Sequence, residues 1–164
     1  MRSNNDDSPP QGPGVGAARN AARKLLKDAG AGEIPVSLVK VIDHLKAKHR
    51  LDVIRHPFGD KTSGMLAVID GQPTVGFNHD MAWVRRRFTI AHEIGHFLLG
   101  HECAGECGHG DVEVEANQFV AELLMPLAPL RADHRRTPDP DALAMLYIVS
   151  REAMFRRLMD CRML

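Results

Sequence analysis

Aromatic side chains are scarce in this chain: one Trp, one Tyr and six Phe among 164 residues. Its core must therefore be filled by Leu, Val, Ile, Ala and Met. There is no excess of charge of either sign, because Lys+Arg and Asp+Glu both number 21. That balance excludes a global field drawing the protein to nucleic acid or to an anionic membrane. No apolar run approaches the roughly 20 residues of a membrane-spanning helix. Met1 to Gly16 contains no apolar stretch of the kind found in a secretory signal. Cys occurs three times, an odd number with no disulfide framework, and a reduced, cytoplasmic setting is expected. The length is that of about one domain.

What the chain does have is a graded series of elements. Residues 1–16 are Asn, Asp, Ser, Pro and Gly with almost nothing to bury, and are expected to be a disordered tail. Ala17 to Ala29 reads as a helix with Ala18, Ala21, Ala22, Leu25 and Leu26 in one stripe, stopped by Gly30. Ser37 is placed to cap a second helix that buries Leu38, Val39, Val41, Ile42 and Leu45. Leu51 to His56, Gly64 to Ile69 and Thr74 to Phe77 read as strands, with Asp70-Gly71 a hairpin turn. They predict a small antiparallel sheet, and hence an α+β fold. Leu127 to Pro140 reads as loop. Asp141 to Val149 and Ser150 to Leu158 read as two short helices, with Ser150 as a cap and Ala142, Leu143, Leu146, Ile148, Val149, Met154 and Leu158 as the apolar set.

The chemistry is concentrated at His92-Glu93-Ile94-Gly95-His96, an H-E-x-x-H sequence. Positions i and i+4 share a helix face, so His92 and His96 can grip one divalent ion. Glu93 stands beside the first ligand, where its carboxylate can serve as general base toward a water. Phe88, Ala91, Gly95, Leu98 and Leu99 supply helical apolar spacing, and Gly100 is a plausible stop. Gly95 costs about 1 kcal/mol of helix propensity relative to Ala, which makes sense if the sheet or a substrate packs close to it. Arg85, Arg86 and Arg87 sit unfavourably close to the helix start for cations. The simplest account starts the helix near Met81, with Asp80 as N-cap; the other is an acidic contact on a partner.

A third ligand is needed. Val112, Ala116, Phe119, Val120, Leu123 and Leu124 recur at helical spacing, and Pro126 ends the run. Glu113 and Asn117 are i and i+4, so a Glu113 ligand could have Asn117 as an outer hydrogen-bond partner. Glu115 competes with Glu113. It points about 200° around the helix, so only one of the two can face the site. Glu115 and Glu122 read as solvated positions. The loop from His101 to Gly110 holds His101, Cys103, Cys107 and His109, which could bind a second metal, although the C-x₃-C spacing fits no common structural zinc pattern.

The run Arg86 to His101, R-R-F-T-I-A-H-E-I-G-H-F-L-L-G-H, followed by E-x-x-A-N-x-F-x-A-E-L-L-M-P from Glu113, resembles the ImmA/IrrE family of bacterial metallopeptidases. The similarity runs from about Gly64 to about Leu158. It implies a minimal zincin-like domain over residues 17–164, with residues 141–160 as a helix-turn-helix-like C-terminal part. Its pattern puts the ligand Glu four residues before the Asn, which selects Glu113. Zn²⁺ is expected as cofactor by ligand type, although Mn²⁺ and Fe²⁺ also occupy His/carboxylate sites. The oxyanion partner is expected among Arg157, Arg156, Tyr147 and His109, with the resemblance pointing to the C-terminal arginines.

Members of the family include site-specific proteases that cut a helix-turn-helix repressor. No helix-turn-helix precedes the peptidase part here, so the implied substrate is a repressor or antitoxin supplied in trans. The alternative is a zinc-containing module that binds a repressor or DNA without cutting. Arg151, Arg156 and Arg157 suit phosphate contacts, but the short segment and the zero net charge make direct nucleic-acid binding the weaker reading.

Overall fold

A computed structural model describes residues 14–101 and 110–164. The expected tail lies mostly outside them, except that Val15 and Gly16 already belong to helix α1 (Val15–Asp28). Ala18, Ala22, Leu25 and Leu26 are buried along one side of α1, and the left-handed Gly30 (φ +60°) turns the chain away. Helix α2 (Leu38–His49) starts where the Ser37 hydroxyl accepts the Lys40 amide. It buries Leu38, Val41 and Leu45, but Val39, expected inside, is 68% exposed. Steps of three and four from Leu38 select one stripe, and Val39 falls outside it.

Strands β1 (Asp52–His56), β2 (Gly64–Ile69) and β3 (Gln72–Asn78) form one sheet in the order β1-β3-β2. Asp70 (φ +50°) and Gly71 (φ +76°) make the expected tight turn between β2 and β3. The sheet is mixed rather than antiparallel: β2 pairs antiparallel with β3, while β1 runs parallel to β3 with Asp52 opposite Thr74. The hairpin turn specifies only the β2–β3 pair. Pro57 ends β1, and the chain then passes across to enter β2 on the far side of β3.

Helix α3 (Trp83–Leu98) lies between β2 and β3 on one side and α4 (Asp111–Leu124) on the other, and α1 covers α4 in turn. The close neighbour of Gly95 is Phe119 of α4, neither sheet nor substrate: a Cβ at Gly95 would stand 2.9 Å from the Phe119 ring. At Gly64 a Cβ would stand 2.4 Å from the Thr89 methyl, so β2 can approach α3 only without a side chain there. α3 begins at Trp83, later than the expected Met81. Ala82 is its N-cap, and Asp80 instead donates its amide to Asn78 Oδ1.

The stretch expected as loop after Pro126 forms helix α5 (Leu127–Arg136). Pro129 falls in its first turn, where a missing N–H costs nothing, and Leu130 is fully buried. Helices α6 (Pro140–Tyr147), capped by Asp139, and α7 (Arg151–Asp160), capped by Ser150, pack on each other. Their buried set includes Ala144 and Tyr147, whereas Leu146 is 45% exposed.

Glu122 is not solvated. It is buried on α4 and pairs with Arg157 of α7 and with Arg23 of α1 at 2.9 Å, and it accepts the Leu127 amide that opens α5. Arg157 also donates to the Met125 carbonyl at 3.1 Å. Burial alone would raise the Glu122 pKa, but Arg23, Arg157 and the Leu127 amide outweigh it and hold the carboxyl below its usual value. Removing one partner strands a buried charge, so Glu122→Ala should lose about 3–5 kcal/mol in urea denaturation. Glu122→Leu combined with Arg157→Met should be nearly neutral. Since the folded pKa is the lower one, the stabilisation is present above the ordinary value of 4.5 and is lost as pH falls below it. The double variant should therefore lose less stability than wild type on acidification.

Candidate metal centre

One turn of α3 separates His92 from His96, and their Nε2 atoms converge to 3.0 Å. From the first turn of α4, Glu113 brings Oε2 to 3.3 Å from His92 Nε2 and Oε1 to 3.1 Å from His96 Nε2. Among the described residues these three form a group whose ligand atoms all lie within 4.8 Å of one another. An ion with bonds of about 2.0–2.1 Å in a tetrahedral arrangement holds its ligands roughly 3.3 Å apart, so the triangle fits one such ion. Its charges fit too. Burial lowers the His92 pKa against the opposing pull of Glu113 and Asn117, and burial with the neighbouring His92 lowers His96 to about 4. Both rings are thus neutral at pH 7, the state a metal requires.

Glu93, half-buried, faces the same space. Burial and the nearby Glu113 charge push its pKa up to about 7, while the Leu66 amide of β2 pulls the other way. A carboxylate titrating near neutrality can both take and return a proton. The Leu66 contact also brings β2, an edge strand, directly against the site.

Asn117 lies one turn beyond Glu113 and acts on His92 from an exposed position. Glu115 is not an open, solvated carboxylate. Its two oxygens are taken by His101 Nε2 at 2.9 Å and the Gly14 amide at 2.7 Å. The arginine triplet finds partners within the chain: Arg85 reaches Ser63 Oγ, Arg86 stacks over Trp83, and the buried Arg87 donates to the Val36 carbonyl. Of the side chains expected to hold an oxyanion, Arg156 and Arg157 line the cleft next to Phe88 and Asn117 and also make contacts within the chain. Tyr147 is buried and donates to Asp133 at 2.8 Å, Arg157 is locked to Glu122 and Met125, and Arg156 pairs with Glu152 on the surface. His109, Cys103 and Cys107 lie outside the described residues. Arg151, considered for phosphate, pairs with Asp141. A cleft of about 460 Å³ opens one helical turn from His92 and Glu113. It is bounded at that end by Phe88 and Asn117 and floored by Ala121, Met125, Val149 and Ala153.

The involvement of His101 was not legible as such in the sequence. Its one signal is Gly100: at φ +69° it lets the His101 amide bond back to the His96 carbonyl, and its own amide bonds to the Phe97 carbonyl. This is a glycine-terminated helix end of the Schellman type. It folds the His101 ring onto His96, centroid to centroid 5.0 Å.

The described residues contain no helix long and apolar enough to cross a membrane. No curated protein matches the sequence closely enough to count as a relative. Among solved structures, a Mycobacterium tuberculosis transcriptional regulator shares the fold, with a TM-score of 0.67 at 15% identity. The alignment covers 87% of this chain and 46% of that one, so the present chain spans about half the length of that protein. The model of the IrrE N-terminal-like peptidase domain matches residues 47–159, a span that holds the whole of the sheet, both histidines and Glu113. On that match, and with the fold and metal-ready triangle it contains, the chain belongs to the ImmA/IrrE family of metallopeptidases.

Proposed function

We propose that this chain is a zinc-dependent endopeptidase that cuts a helix-turn-helix repressor or antitoxin supplied as a separate protein, and so relieves repression. The observation that carries the catalytic part is the convergence of His92 Nε2, His96 Nε2 and Glu113 within about 3 Å of each other, with the Glu93 carboxylate beside them. A zinc ion held there would supply Lewis acidity toward a peptide carbonyl and lower the pKa of water. Glu93 takes the proton of the attacking water and returns it to the leaving nitrogen. The Leu66 amide holds the Glu93 carboxylate in place. Asn117 steadies His92.

The edge of β2 offers main-chain groups to an extended substrate segment by strand addition, and the apolar cleft beside Phe88 and Asn117 offers room for a side chain. The repressor part of the proposal rests on the family and on a fold shared with a protein described as a transcriptional regulator. The test is to incubate the zinc-loaded protein with helix-turn-helix repressors from its own genome, starting with any encoded beside its gene. Cleavage at one position, abolished by a chelator, is expected. A repressor that stays intact while forming a stable complex would favour the non-cleaving module instead.

A further inference from the structure

We infer that His101 and Glu115 form an outer relay that orients His96 and fixes which of its nitrogens binds the ion. The inference rests on the metal site proposed above. His96 presents Nε2 to His92 and Glu113, and its other nitrogen, Nδ1, lies 2.9 Å from His101 Nδ1. His101 Nε2 lies 2.9 Å from Glu115 Oε2, and Glu115 Oε1 accepts the Gly14 amide at 2.7 Å.

Two nitrogens facing each other need one proton between them. A ligating Nε2 carries no proton, so neutral His96 must carry it on Nδ1 and donate to His101. His101 then accepts at Nδ1, carries its own proton on Nε2, and donates to the Glu115 carboxylate. Every donor in the row meets an acceptor, and the polarity runs one way, from the metal site to Glu115. Such an outer partner sets the tautomer and ring angle of a ligand and raises its basicity. The side chain of His101 is 7% exposed, so the middle of the row is shielded from competing water, while Glu115 at its outer end is 23% exposed. It is built by the chain itself: the Gly100 helix end places His101 over His96, and the first amide of the α1 region anchors Glu115. His101 and Glu115 are thus positioning residues.

The test is zinc affinity by competition with a chromophoric chelator, for wild type, His101→Phe, His101→Asn and Glu115→Gln. Asn places an acceptor oxygen near the position of the imidazole Nδ1, whereas Phe fills the space with none. The expected order is wild type, then His101→Asn, then His101→Phe, with the Phe variant weaker than wild type by about 10- to 100-fold. Glu115→Gln, which keeps the shape but not the charge, should fall between wild type and Phe. It stands in for the Phe variant should that one fail to fold. Nitrogen-15 shifts of the zinc-loaded wild type should show His96 protonated at Nδ1 and His101 at Nε2 only. Equal zinc affinity in wild type and a folded His101→Phe, or a proton on His101 Nδ1, overturns the relay while leaving the metal site intact. Failure of wild type itself to bind zinc overturns both.

Discussion

Replacing Glu93 by Gln is expected to leave zinc bound and to cut peptidase turnover by about 10²- to 10⁴-fold, the usual contribution of a positioned general base. Glu93 is not one of the three atoms that converge on the ion position; its carboxylate is set beside them by burial and by the Leu66 amide. Gln is nearly isosteric and can still accept that amide, so the fold and the ligand triangle should survive. What disappears is the ability to take a proton from water and pass it on. Metal content measured on the purified variant, together with turnover of a repressor or model peptide at saturating zinc, separates the two quantities. Unchanged metal with near-wild-type turnover would remove Glu93 from the reaction.

Glu113→Ala should instead strip the metal. Its two oxygens lie 3.1 and 3.3 Å from the two imidazole Nε2 atoms, so its loss removes one of three ligands and the only negative charge among them. The fall in zinc affinity should exceed the roughly 100-fold upper bound for loss of an outer-shell partner. Glu115→Ala is the matched control, since it lies two residues away on the same helix. It should keep stoichiometric zinc at micromolar protein and weaken it only within the range expected of an outer partner. Equilibrium dialysis of both variants decides the matter. Loss of metal in Glu115→Ala with retention in Glu113→Ala would transfer the ligand.

Much of this site is visible in the residues because its chemistry is local. H-E-x-x-H on a helix brings two imidazoles onto one face with a carboxylate beside them, and Glu113 followed by Asn117 repeats the same i, i+4 spacing on α4. Caps at Ser37 and Ser150, and the Asp70-Gly71 turn, are equally local and fall where side-chain chemistry puts them. What escapes sequence reading depends on distant partners. Glu122 looks like any polar helix position until Arg157 and Arg23, far off in the chain, converge on it. Glu115 looks solvated until the Gly14 amide and His101 arrive. The parallel pairing of β1 with β3 is set by how the whole chain crosses the sheet, which no turn signal encodes. Helix α5 is hidden by Pro129, whose placement in a first turn is harmless but whose presence reads as a break.

The most direct measurement is anomalous diffraction at the zinc edge from crystals of the metal-loaded protein. A single strong peak about 2.0–2.1 Å from Nε2 of His92, Nε2 of His96 and a Glu113 oxygen is the expected result. A zinc peak elsewhere in the molecule, with those three side chains unligated, would contradict the account.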